Sequence, residues 1–149
     1  MIVPLSQYIH WADLNFERFL ATDGSSAENI GISFYWFASE YVVIEGWRAI
    51  SIQDDEIDSI IASNEPGIDL FRRARNAVFH FQERPWEERL VRFAHHFGQD
   101  DWLAKFHRAT LRFLLEYAQK NYPYETRKDE FAETFFQIIG WKPKLYKIT

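Results

Sequence analysis

Residues 30–47 carry Ile30, Ile32, Phe34, Tyr35, Trp36, Phe37, Tyr41, Val42, Val43, Ile44 and Trp47, so the segment is apolar on nearly every helical face. A helix without a polar side is stable only when other elements surround it, which predicts that this segment lies at the centre of the fold. Its β-branched and aromatic content also suits a buried strand over residues 32–44. Its length and the absence of hairpin signals favour helix. Glu40 and Glu45 interrupt the apolar surface. Either they reach solvent or pair with Arg48, or a buried carboxylate here orients an arginine of the next helix.

The rest of the chain reads as helices laid around that centre. Residues 13–20 form a short first helix with Leu14, Phe16, Phe19 and Leu20 apolar, broken by Thr22-Asp23-Gly24-Ser25-Ser26. Ser25 or Ser26 caps the central helix, which runs to about Ile50. Ser51-Ile52-Gln53-Asp54-Asp55-Glu56 is an acid-rich helix start that runs to about Ser63, and Asn64-Glu65-Pro66-Gly67 ends it. A further helix follows from about Ile68 and stops before Pro85. Pro85 opens another over residues 86–97, closed by Gly98. Asp100 and Asp101 start a long amphipathic helix to about Gln119, which Asn121-Tyr122-Pro123 ends. Residues 128–139 form the last helix, before a basic tail with Lys142, Lys144 and Lys147. There is no internal repeat and no linker, so the pattern predicts one all-α domain over residues 1–149, a bundle of five to seven helices.

Composition narrows the function classes. An aromatic content of 18% exceeds what a compact monomer of 149 residues needs, so part of it is expected to face a partner chain. The formal charge of −5 argues against generic, salt-driven binding to nucleic acid. Charge is unevenly spread, however: Asp54, Asp55, Glu56 and Asp58 cluster, while six of the eleven arginines lie between Arg72 and Arg92. A local basic patch on an acidic chain suits one phosphate or one short single strand. Without cysteine there is no disulfide framework, thiolate nucleophile or sulfur-ligated zinc. The first residues lack a charged region followed by an apolar run, and residues 30–44 are too short and too interrupted by Glu40 to span a bilayer. A cytoplasmic protein with no membrane association is expected.

The stretch Leu70-Phe71-Arg72-Arg73-Ala74-Arg75-Asn76-Ala77-Val78-Phe79-His80-Phe81-Gln82 is where chemistry is expected. At about 100° per residue, Leu70, Phe71, Ala74, Ala77, Val78 and Phe81 fall on one face. Arg72, Arg73, Asn76, His80 and Glu83 fall on the opposite one, with Arg75 and Gln82 at the boundary and Phe79 inside the polar arc. A core helix needs none of these arginines, and like charges repel.

RNA cleavage through the 2′-hydroxyl needs a group that moves protons and a fixed positive charge on the phosphate. Histidine titrates near neutrality and arginine's fork suits the phosphate, which casts His80 and Arg75 in these roles, with Arg72 and Arg73 helping to bind RNA. Asn76 stands one turn before His80 and can orient its imidazole. Arg75 and His80 are five residues apart, roughly 140° around a helix, so one helix does not easily bring both to one phosphate. Two copies about a two-fold axis can, and Phe79 then suits the seam between them.

Arg75-Asn76-Ala77-Val78-Phe79-His80, an arginine followed by a polar residue, three more positions and a histidine, resembles the motif of the HEPN superfamily (higher eukaryotes and prokaryotes nucleotide-binding). The resemblance covers this one helix and the all-α plan around it. It implies a metal-independent endoribonuclease acting on single-stranded RNA as a homodimer, without cofactor, in a toxin or phage-defence setting, with a protein antitoxin as a possible partner. The alternative it leaves open is a catalytically silent module that binds a nucleotide, RNA or a partner protein. Arg73 to His80, Arg89 to His95 and Arg89 to His96 also fit the loose spacing, but only Arg75 is followed by asparagine. Gln82 stands where HEPN toxins controlled by a nucleotidyltransferase carry a modified tyrosine, so that route of control is not implied.

The remaining histidines carry weaker signals. His95 and His96 are adjacent and point about 100° apart on a helix. A metal site of His96 and His107 with Asp100 or Asp101 lacks any recognised spacing, and no metal ligand is assigned. His10 beside Trp11 reads as a surface or packing residue.

Overall fold

The computed structural model describes residues 2–21, 27–79 and 101–121. Among these residues the chain forms five helices and no strand: α1 (Val3–Leu20), α2 (Ala27–Ala49), α3 (Asp55–Ser63), α4 (Glu65–Phe79) and α5 (Trp102–Asn121). The architecture is an all-α bundle. The expected break and cap at 22–26, the helix at 86–97 with Gly98, the helix at 128–139 and the basic tail lie outside the described residues.

The first helix is longer than the sequence reading, which began it at Asp13. It starts at Val3, with Pro4 in the first turn, where its missing N–H is no loss. Leu5, Ile9 and Ala12 repeat at helical spacing and are buried, and this stripe carries the helix back ten residues.

α2 is the centre, as its apolar surface predicts, and the strand alternative for residues 32–44 is not realised. It packs antiparallel on α1: Gly46 faces Leu5 at one end, and Asn15 hydrogen-bonds Ser39 (2.8 Å) toward the other. It is also antiparallel to α4, with Arg48 paired to Glu65 at 2.6 Å and the Tyr35 and Phe79 rings 6.1 Å apart at the opposite end.

The joint between α3 and α4 differs from the expected loop. Asn64 donates through its amide to the Ile60 carbonyl, while its own carbonyl accepts from the Ile68 N–H, so one residue closes one helix and opens the next. Glu65, Pro66 and Gly67 are therefore the first turn of α4 rather than a terminator. At the other end of α3, Asp54 caps by accepting from the Ile57 N–H (3.1 Å). Both oxygens of the same carboxylate accept from one nitrogen, Nη2, of Arg112 of α5, each at 2.8 Å. Burial pushes the Asp54 carboxyl up, but the bonds from Arg112 and Ile57 outweigh it and hold it below the usual range.

The core is aromatic. Phe71 of α4 sits edge-on to Phe37 of α2 (5.8 Å) and to Trp102 of α5 (5.2 Å), and all three are buried. This contact sets the rotation of α4 about its axis and so decides which of its residues face water. No helix among the described residues is long and apolar enough to cross a membrane.

Candidate functional site

With Phe71 turned inward, α4 presents Arg72, Asn76 and Phe79 along one exposed stripe at i, i+4 and i+7, with Arg75 half-buried at its edge and Arg73 exposed beside it. The side chains of Ala74, Ala77 and Val78 are not described, and Phe81, His80, Gln82 and Glu83 lie outside the described residues. The expected proton-handling residue is thus not among those that can be located.

The arginines are held in two ways. Arg72 and Arg73 share one carboxylate, that of Asp69, at 2.8 and 2.7 Å within the same helix. The hydrogen bond from Arg72 is the main cause that holds the Asp69 carboxyl below its ordinary range. Arg75 instead crosses to α2. Its Cζ lies 5.0 Å above the centre of the Tyr41 ring and its Nη2 is 3.3 Å from Oε1 of Glu45. Its Nε is buried and has no hydrogen-bond partner among the described residues. Burial pushes the Tyr41 hydroxyl up, and the neighbouring negative charge of Glu45 pushes it further. The two readings of the α2 acids resolve here: Arg48 pairs with Glu65, and it is half-exposed Glu45, not a buried carboxylate, that orients an arginine of α4.

Phe79 is 57% exposed and Tyr35 54% exposed, and their edge-to-face contact makes a small aromatic patch spanning α2 and α4. The patch adjoins the arginine stripe, since Phe79 is one turn from Arg75 and Asn76. Three arginines against Asp69 and Glu45 leave one positive charge in surplus. The face can take a single anion such as a phosphodiester beside an apolar surface.

A second constellation escaped the sequence reading. His107 of α5 is enclosed between two carboxylates, with Nδ1 2.6 Å from Oε1 of Glu40 on α2 and Nε2 3.2 Å from Oδ1 of Asp13 on α1. Glu40 Oε1 also accepts from the Trp36 indole at 2.9 Å, whereas Oε2 has no partner among the described residues. Phe16 covers the imidazole, ring centres 4.6 Å apart. A neutral imidazole has one N–H, so serving both carboxylates requires the imidazolium. Burial works against that charge, but the bonds from Asp13 and Glu40 overcome it and raise the His107 pKa to about 9. Two signals pointed here: a carboxylate inside an all-apolar helix, and a histidine at the apolar positions of α5 among Leu103, Phe106, Thr110 and Leu114. Both ring nitrogens face carboxylates, so His107 is not placed as the metal ligand weighed beside Asp101, which pairs with Lys105 at 2.8 Å.

No protein-family model, curated protein or solved structure matches this chain.

Proposed function

We propose that this chain is a HEPN-like endoribonuclease that cleaves single-stranded RNA by attack of the 2′-hydroxyl at a site shared by two copies. Arg75 holds the scissile phosphate, His80 moves the proton, Asn76 orients His80, and Arg72 and Arg73 gather the strand. The observation that carries the reading is the exposed stripe of α4, Arg72, Asn76 and Phe79, with half-buried Arg75 at its edge and Phe79 against Tyr35 at its end. A fixed guanidinium is what the charge developing on a phosphate requires, and an exposed aromatic beside it suits a dimer seam. A role as toxin or phage-defence effector, with a protein antitoxin, belongs to the same proposal.

A second reading is favoured by one contact. Glu45 and Tyr41 already occupy Arg75, as they would in a silent module that binds RNA, a nucleotide or a protein. Incubation with single-stranded RNA in excess chelator, beside a His80→Ala variant, separates the two. Cleavage that the variant lacks supports the enzyme. Retained RNA binding without cleavage by either chain supports the module.

A further inference from the structure

Arg75 differs from its neighbours in what fixes it. Arg72 and Arg73 lean on one exposed carboxylate of their own helix and remain half-exposed or more, so each keeps much of the freedom of a surface arginine. Arg75 is fixed from a different helix by two contacts, the Tyr41 ring 5.0 Å beneath it and Glu45 on Nη2 at 3.3 Å, and its Nε is buried. Its side chain nevertheless stays 30% exposed. An arginine side chain has many rotamers, and contacts that restrict them beforehand leave less freedom to lose when an anion binds. Tyr41 is itself buried in the α2 core and Glu45 follows it by one turn on the same helix, so ring and carboxylate meet the guanidinium from one surface of α2.

Resting on the reading of this face as an RNA-cleaving site, we propose that Glu45 and Tyr41 are its positioning residues, holding Arg75 in the orientation that receives a phosphodiester oxygen of single-stranded RNA. Glu45 also sets a limit on ground-state affinity, because its negative charge lies beside the place the phosphate takes. Removing it frees the guanidinium and removes a repulsion at once. Turnover then falls while binding does not weaken, a combination that a purely structural role does not produce.

The test compares cleavage of a single-stranded RNA by the full chain and by Glu45→Ala, Glu45→Gln, Tyr41→Phe and Arg75→Ala, with kcat and KM measured separately. Glu45 is half-exposed, so its variants are expected to fold, and thermal melting checks this. Glu45→Ala is expected to lower kcat by roughly tenfold to a hundredfold with KM unchanged or lower. Glu45→Gln, which keeps an oxygen acceptor for Arg75, recovers a large part of kcat, and Tyr41→Phe, which keeps the ring, loses less than Glu45→Ala. If Arg75→Ala abolishes cleavage while the Glu45 and Tyr41 variants turn over as wild type, the positioning role is overturned and the site reading stands. If Arg75→Ala cleaves normally, or no chain cleaves, the site reading falls and the positioning role falls with it.

Discussion

Nδ1 of His107, on α5, lies 2.6 Å from Oε1 of Glu40, on α2, and the two side chains are 1% and 0% exposed. With Asp13 of α1 on the far nitrogen, one imidazole joins three helices through the middle of the bundle. A buried charge is costly unless paired, and here the pairing is made by residues drawn from widely separated parts of the sequence. The link works only when all three helices are packed, so it reports on the integrity of the core.

Replacing His107 with leucine leaves Glu40 enclosed without its cation. The expected loss is about 3–5 kcal/mol, the usual result of removing one partner of a buried pair. Adding Glu40→Gln in the same chain is expected to restore a large part, because the amide oxygen still accepts from the Trp36 indole without carrying a charge. Urea unfolding of the wild type, both single variants and the double variant measures the coupling. Strictly additive losses would mean that the two side chains do not interact.

The same clamp predicts the direction of pH dependence. The folded state raises the His107 pKa from 6.5 to about 9, so it binds the proton more tightly than the unfolded chain does. The stabilisation is whole below about pH 6.5, declines as pH rises, and is gone above about pH 9. Its size is on the order of 3 kcal/mol by linkage. His10, which burial pushes below 6.5, titrates beneath this window. The urea midpoint of wild type is expected to fall between pH 6.5 and 9 while that of the His107→Leu/Glu40→Gln double variant, which keeps neither the imidazole nor the enclosed carboxylate, stays nearly flat; parallel curves would refute the assignment.

Helix type and order were legible because hydrophobic periodicity and capping residues are local. The acid-rich start of α3 and the apolar surface of α2 could be read directly, and Asp54 caps as its position suggests. What could not be read depends on rotation and register between helices. Nothing local says that Glu40 meets His107, 67 positions away, rather than Arg48. Nor does local pattern reveal that Asn64 serves two helices at once, which turned an expected terminator into a first turn. In the candidate site, the exposure of Arg72, Arg73, Asn76 and Phe79 followed from the wheel. The hold of Glu45 and Tyr41 on Arg75 required the packing of α4 on α2.

Two glycines of α2 make opposite predictions. A Cβ added at Gly31 meets nothing within 4 Å among the described residues, whereas one at Gly46 would stand 3.0 Å from Cδ1 of buried Leu5. Gly31→Ala is expected to stabilise by up to about 1 kcal/mol through helix propensity. Gly46→Ala gains the same propensity but must displace Leu5 in a closely packed contact between α1 and α2, and a net loss of about 1–3 kcal/mol is expected. Thermal melting of the two variants should move in opposite directions, and a gain at Gly46 would show that Leu5 yields freely.

The proposed composite site needs two chains, and the aromatic patch gives that requirement a handle. Phe79 is exposed and touches Tyr35, itself exposed, so neither ring is held inside its own protomer's core. Phe79→Ser is therefore expected to leave folding stability within about 0.5 kcal/mol of wild type, as for most surface substitutions. In a dimer sealed by this patch the same change removes a central aromatic contact, where single truncations commonly cost 2 kcal/mol or more of association energy. Sedimentation should show wild type as a dimer at high micromolar concentration and Phe79→Ser shifted toward monomer, with RNA cleavage falling in step. Tyr35→Ser should act in the same direction. A wild-type chain that stays monomeric throughout that range would leave Arg75 and His80 of one chain, roughly 140° apart on a regular helix, without the second copy the mechanism needs.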